Sequence, residues 1–224
     1  MKKLIDSLRQ RLSDKANRDN AEQMSRYLKN HFIFFGIKTP ERREISKLFF
    51  QETGILKEPY NEEFVLALWE QPEREFQLLG LDYIAKFQKK LAKHHIAHIE
   101  KLITTKSWWD TVDMLAQHPA GTIIAKHPEL IEELVDKWAV SEDMWLRRTA
   151  IIHQLRYKEN TNEDRLYKYI KLNADSKEFF IQKGIGWALR EYSKTNPYSV
   201  KQFIESNSLA PLSVREGSKY IPKE

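Results

Sequence analysis

Lys106-Ser107-Trp108-Trp109-Asp110-Thr111-Val112-Asp113 is the stretch on which the reading of this chain turns. Ser107 is expected to cap a helix that opens with the tryptophan pair. Trp108, Val112 and Leu115 recur at i, i+4 and i+7, which is one helical face and the natural core face. Trp109 and Asp113 are also i, i+4, on a neighbouring face. The two indoles therefore point in different directions, one into the core and one beside a carboxylate at the surface. An exposed indole next to an acid needs a reason. One reason is structural, a partly buried Trp109 whose N–H donates to Asp113. The other is a functional site. The stretch alone leaves both open.

Outward from it, the chain reads as helix after helix. Leu4, Ile5, Leu8 and Leu12 give a first amphipathic helix, and Met24, Tyr27 and Leu28 mark the face of a second. His31-Phe32-Ile33-Phe34-Phe35-Gly36-Ile37 is the one β-like run; it has nothing to pair with and is expected as a buried apolar connection. Thr39-Pro40 is a cap followed by proline at the first helical position, and Thr53-Gly54 ends that helix. Apolar positions at Phe64, Leu68 and Trp69, then Phe76, Leu79, Tyr83 and Phe87, then Ile96, Ile99, Leu102 and Ile103 mark three more. The tryptophan-pair helix is expected to end near His118-Pro119, and later helices to start at Ser141, Ser176, Pro197 and Ser213. All eight prolines can be placed at helix starts, in connections or in the tail, which favours an all-α fold.

A longer period organises these helices. Glu75–Phe87, Trp145–Tyr157 and Phe180–Tyr192 align without gaps and each ends in an aromatic; their starts are 70 and then 35 residues apart. A 35-residue unit of two helices is a solenoid signature. The spacing links Arg43, Leu78, Asp113, Arg148 and Lys183, with Arg215 near the same column. The expectation is one domain over residues 1–224, a right-handed α-solenoid of about six helical pairs, with that column on a positive concave groove. A solvated mixed-charge face fits the column equally well.

Composition sets outer bounds. The 41% hydrophobic and 12% aromatic residues suffice for a substantial core. The net charge of +5, from 37 Lys+Arg against 32 Asp+Glu, permits a polyanionic partner without requiring one. With no cysteine, disulfides, thiol catalysis and Cys-ligated zinc are excluded. His94 and His98 stand at i, i+4 but lack a third ligand, so no metal is expected. The N-terminal segment lacks the unbroken apolar stretch of a signal peptide, and no apolar run approaches a membrane span. A cytoplasmic protein with no membrane partner is expected. Lys86, Lys89, Lys90 and Lys93 form a basic cluster that suits either DNA contact or a solvated helix end. Trp69, Trp108 and Trp138 are expected in the core, and Phe179 and Phe180 as packing residues.

An ordered set of segments carries a resemblance across about residues 20–220. These are Tyr27-Leu28-Lys29-Asn30-His31-Phe32, Gly36-Ile37-Lys38-Thr39-Pro40-Glu41-Arg42-Arg43 and Pro72-Glu73-Arg74-Glu75-Phe76-Gln77. Thr105-Lys106-Ser107-Trp108-Trp109-Asp110, Lys126-His127-Pro128-Glu129-Leu130 and Lys177–Lys183 follow. Gly186-Trp187, Arg190-Glu191-Tyr192 and Leu209-Ala210-Pro211-Leu212-Ser213 complete it. The chain resembles the AlkD branch of the bacterial DNA-alkylation-repair glycosylases, built from HEAT-like repeats. The resemblance implies a monomer that binds double-stranded DNA carrying alkylated bases, near the nucleoid and without a small-molecule cofactor. It implies active-site roles for Trp109, Asp113, Arg148 and Trp187, with Tyr27 close by. Tyr27, Arg43, Arg148, Lys183, Arg190 and Arg215 are the expected DNA-binding residues. Gly184 departs from the small alanine-like residue usual there and, at roughly 1 kcal/mol of helix propensity, is expected to loosen the helix carrying Trp187.

Those residues suit one reaction. Alkylation at N3 of adenine or N7 of guanine makes the base cationic and a good leaving group, so breaking its N-glycosidic bond needs no general acid. The sugar gains oxocarbenium character, as in glycoside hydrolysis. Asp113 can stabilise that cation and position water, the indoles of Trp109 and Trp187 can pack on the deoxyribose, and Arg148 can hold a flanking phosphate. No lysine is needed as an imine-forming nucleophile, so the glycosylase would be monofunctional, and family behaviour implies that the base is not flipped out. Two other readings stand beside it: a catalytically silent DNA-binding relative, and a HEAT-type scaffold for an acidic protein. A carboxylate among the cations favours the first, because on a polyanion-binding face it would repel phosphate.

Overall fold

Most of the described backbone satisfies its hydrogen bonds within helices. The computed structural model describes residues 1–221, and among them no strand forms; the run 31–37 contributes one isolated bridge, Ile33 to Glu73. The all-α expectation holds. Pro222, counted above among the tail prolines, lies outside the described residues. Contacts gather into two compact units, Met1–Leu91 and the part from Ala92 onward.

The first unit holds α1 (Lys2–Ser13), α2 (Arg18–Tyr27), α3 (Thr39–Thr53), α4 (Glu62–Glu70) and α5 (Arg74–Phe87). Helix α1 buries Ile5, Leu8 and Leu12, the face expected from their spacing. Side-chain oxygens of Asn17 and Asn61 cap α2 and α4, each accepting from the N–H three residues on. The core is aromatic: Phe64 stacks on Phe49 and meets Tyr83 edge-on, with ring centroids 6.3 and 5.1 Å apart. Two expectations need correction. Helix α2 buries none of its own residues, and Tyr27 is 71% exposed. The run 31–37 is buried only at Gly36 and Ile37, while Ile33 is exposed. What pins it is Glu75, wholly buried, which accepts from the N–H groups of Phe35, Gly36 and Ile37 at 3.1, 2.9 and 3.1 Å. Burial raises the Glu75 carboxyl above its usual range, and those three donors oppose the rise. Gly36, at φ +90°, is obligatory because a Cβ there would collide with the Asn17 carbonyl.

The second unit begins with α6 (Ile96–Ile103) and α7 (Trp109–Leu115), continues through a wide π-type turn at Ala116–Ala120 into α8 (Gly121–Lys126), and reaches α9 (Asp136–Trp138) through another at Ile131–Val135. Then come α10 (Met144–Ile152), α11 (Glu163–Leu172), α12 (Phe179–Tyr192), α13 (Pro197–Ser206) and α14 (Pro211–Gly217). Ser107 does not cap α7. Its Oγ donates back to the Ile103 carbonyl at the end of α6 (2.6 Å), and Trp108 occupies the cap position in extended conformation. Nor does α7 stop at Pro119: the wide turn absorbs the missing N–H and the ring, and the helix continues into α8. The expected serine starts are each displaced. Asp143 caps α10 while Ser141 accepts from the Asp143 N–H; α12 begins at Phe179; and Ser213 lies inside α14, bonding the Gln182 carbonyl.

The 35-residue period appears as hydrogen bonds between successive repeats. Trp138 Nε1 donates to Glu100, Tyr157 to the Gly121 carbonyl, Tyr169 to Asp136 and Asn173 to the Ala139 carbonyl, across 38, 36, 33 and 34 residues. Each joins equivalent levels of neighbouring helix pairs, so one site residue per repeat is brought to one place.

Candidate active site

Three helices of the second unit deliver that place. Asp113 is the fifth residue of α7, Arg148 the fifth of α10 and Lys183 the fifth of α12. Arg148 Nε donates to Asp113 Oδ1 at 2.7 Å and Nη2 to Oδ2 at 2.9 Å, a bidentate fork on a carboxylate. Nη1 donates to the Phe180 carbonyl at the start of α12. The Arg148 side chain is 5% exposed and that of Asp113 14%. Removing either partner strands a buried charge, which is the expensive failure of such a pair. The resemblance implies a phosphate contact for Arg148; in this structure its partners are Asp113 and the Phe180 carbonyl. Those three donors point inward, and two of them fix the orientation of the Asp113 carboxylate.

That carboxylate faces a pocket of about 250 Å³ lined by Trp109, Asp113, Arg148, Phe179, Phe180 and Lys183. Trp108, expected in the core, is only half-buried. It packs against Trp145 and Phe180 with centroids 5.8 and 5.0 Å away, and so supports the pocket wall. Phe179, expected as a packing residue, is 55% exposed and meets Phe180 edge-on at 5.3 Å. The repeat register marks Phe180 as a packing position, but spacing along α12 does not show that Phe179 and Phe180 line a pocket with residues of α7 and α10. The pocket therefore offers one oriented anion among aromatic faces, an arrangement that stabilises a developing cation.

Gly184 belongs to this geometry. A Cβ there would approach Arg148 Nη1 at 3.0 Å, so the missing methyl group makes room for the guanidinium instead of merely loosening the helix. Gly186 does the same for α14, since its Cβ would stand 2.5 Å from that of Glu216.

The remaining expected residues separate into groups. Trp187, one turn beyond Lys183, is half-buried and lines a neighbouring hollow of about 320 Å³ with Gln117, Leu155, Arg156, Lys158 and Glu191. Lys183 and Arg190 both reach Glu216 of α14, at 3.2 and 3.0 Å, and Lys219 joins them at 2.7 Å. This cationic shell, Lys219 foremost, holds the Glu216 carboxyl down at about 2. Arg215 is exposed on α14. Tyr27 and Arg43 are exposed in the first unit. Of the basic cluster at 86–93, Lys93 is taken up by Glu129 and Glu133 at 3.2 and 2.9 Å. His94 is exposed on a short turn before α6 while His98 is buried within it, so the two do not converge. No helix among the described residues is long and apolar enough to cross a membrane.

Comparison with known proteins bears on the family and the fold. Among curated proteins none matches the chain. A solved structure, described as a predicted DNA alkylation repair enzyme from Enterococcus faecalis, superposes with a TM-score of 0.85 at 36% identity, covering 93% of this chain and 98% of that one. The family of DNA alkylation repair enzymes matches residues 8–221. A match over nearly the whole sequence, joined to a helical fold shared at that identity, means that the chain belongs to the DNA alkylation repair enzyme family.

Proposed function

We propose that this protein is a monofunctional DNA glycosylase that hydrolyses the N-glycosidic bond of cationic alkylated bases, N3-alkyladenine and N7-alkylguanine, in duplex DNA. The observation that carries the reading is the Asp113 carboxylate, oriented through both oxygens by Arg148 and opening onto an aromatic pocket. A positively charged base departs without prior protonation, so the protein has to stabilise the electron-poor sugar left behind. A fixed anion in a partly desolvated site does this with little reorganisation. As the C1′–N bond breaks, its electron pair leaves with the base, which becomes neutral. Water held near Asp113 adds its oxygen to C1′ and loses a proton to the carboxylate or to solvent. Trp109 packs on the deoxyribose, and Trp187 contacts the same strand from its own hollow. Because the pocket is shallow and open, the lesion reacts without being extruded into a deep cavity. Arg43, Arg190, Arg215 and Tyr27 contact the backbone, and the protein acts as a monomer.

The test is release of 7-methylguanine and 3-methyladenine from methylated duplex DNA. Free base together with an intact, alkali-labile strand supports the reading. Duplex binding without release would mean a silent DNA-binding relative, and neither would mean a protein scaffold.

A further inference from the structure

Lys183 shares the pocket with Asp113 yet pairs elsewhere. Its Nζ lies 3.2 Å from Glu216 Oε1, and Glu216 also holds Arg190 and Lys219. The Glu216 side chain is 9% exposed, on a helix that packs against α12 through Gly186 and Gly217. Asp113 keeps a partly exposed edge toward the same pocket, with Arg148 as its cationic partner. A lysine side chain is long and flexible, and an ammonium released from Glu216 would have the Asp113 carboxylate on the wall of the same pocket. A second cation would quench the field that Asp113 presents to a developing oxocarbenium ion.

We propose that Glu216 is a positioning residue that tethers Lys183 away from Asp113, so that the catalytic carboxylate carries one cation, Arg148, and no more. The inference rests on the glycosylase reading and deepens it. It opposes what charge counting suggests. Deleting an acid from a cationic cluster raises local positive charge and favours DNA, so Glu216→Gln binds duplex no more weakly than the parent. Base release nevertheless slows, because freed Lys183 moves onto Asp113.

The experiment is single-turnover release of 7-methylguanine at saturating enzyme, with duplex affinity measured alongside, for the full chain, Glu216→Gln and Glu216→Gln combined with Lys183→Met. Glu216→Gln should release base roughly tenfold more slowly at undiminished affinity, and adding Lys183→Met should recover most of that loss. A merely structural Glu216 would give a loss that Lys183→Met cannot recover. Glu216→Asp keeps the charge, withdraws it by one methylene and should show a smaller, equally recoverable loss; it carries the test if the glutamine variant does not fold. Release by Glu216→Gln at the parental rate, or no recovery in the double variant, overturns the proposal while leaving the glycosylase reading intact. No release by the parent protein overturns both.

Discussion

Gly184 stands where a methyl group would come within 3.0 Å of Arg148 Nη1, and that nitrogen is already bonded to the Phe180 carbonyl. A methyl group at 184 would therefore press on the guanidinium that forms the fork with Asp113 and shift it by a few tenths of an ångström. Gly184→Ala gains about 1 kcal/mol of helix propensity and forfeits a similar amount by displacing the guanidinium. Thermal stability should change by no more than a few degrees, while single-turnover base release falls several-fold. A calorimetric scan with the release assay checks both, and an unaltered release rate would remove Gly184 from the site.

Asp113→Asn removes a charge that is paired as well as exposed to the pocket. It leaves the buried Arg148 side chain without its counter-charge, which should cost about 3 kcal/mol of stability. Base release should fall by on the order of 10²–10³, the scale of losing one electrostatic stabiliser. Asp113→Asn with Arg148→Met should regain stability in urea melts but no activity, separating the structural part of the pair from the chemical one.

Stability should decline as the solution becomes mildly acidic. His153 is wholly buried, its Nε2 has no partner, and burial lowers it from 6.5 to about 4. The unfolded chain protonates below about 6.5 while the folded chain resists until about 4, so this contribution is complete above 6.5 and disappears between those values. The loss is on the order of 3 kcal/mol. His98, buried and likewise lowered to about 4, adds to the decline, so in urea unfolding at pH 7.5, 5.5 and 4.5 His153→Leu should reduce the dependence without abolishing it.

Duplex affinity should fall steeply with salt, as counterion release requires. Arg215 is exposed on α14. Arg215→Ala should weaken binding by a similar factor on methylated and unmethylated duplex and lower the log–log salt slope by about one. A slope unchanged by the substitution would place Arg215 off the DNA.

The sequence by itself determined the helical class and the repeat, because both are written in local spacing. Apolar residues at 3.6-residue intervals and a 35-residue register need no knowledge of partners, and that register carried Asp113 to Arg148. Serine is an ambiguous cap signal because a hydroxyl can bond forward or backward: Ser107 closes on Ile103 and Ser213 on Gln182. Tertiary structure alone decided the direction of each charge. Arg148 and Lys183 occupy equivalent positions in successive repeats, yet one turns inward to Asp113 and the other reaches Glu216. Which acid a long cation chooses depends on the carboxylates that neighbouring helices bring within reach, and on glycines whose missing Cβ atoms let those helices approach. Distances across helices are not encoded in the spacing along any one of them.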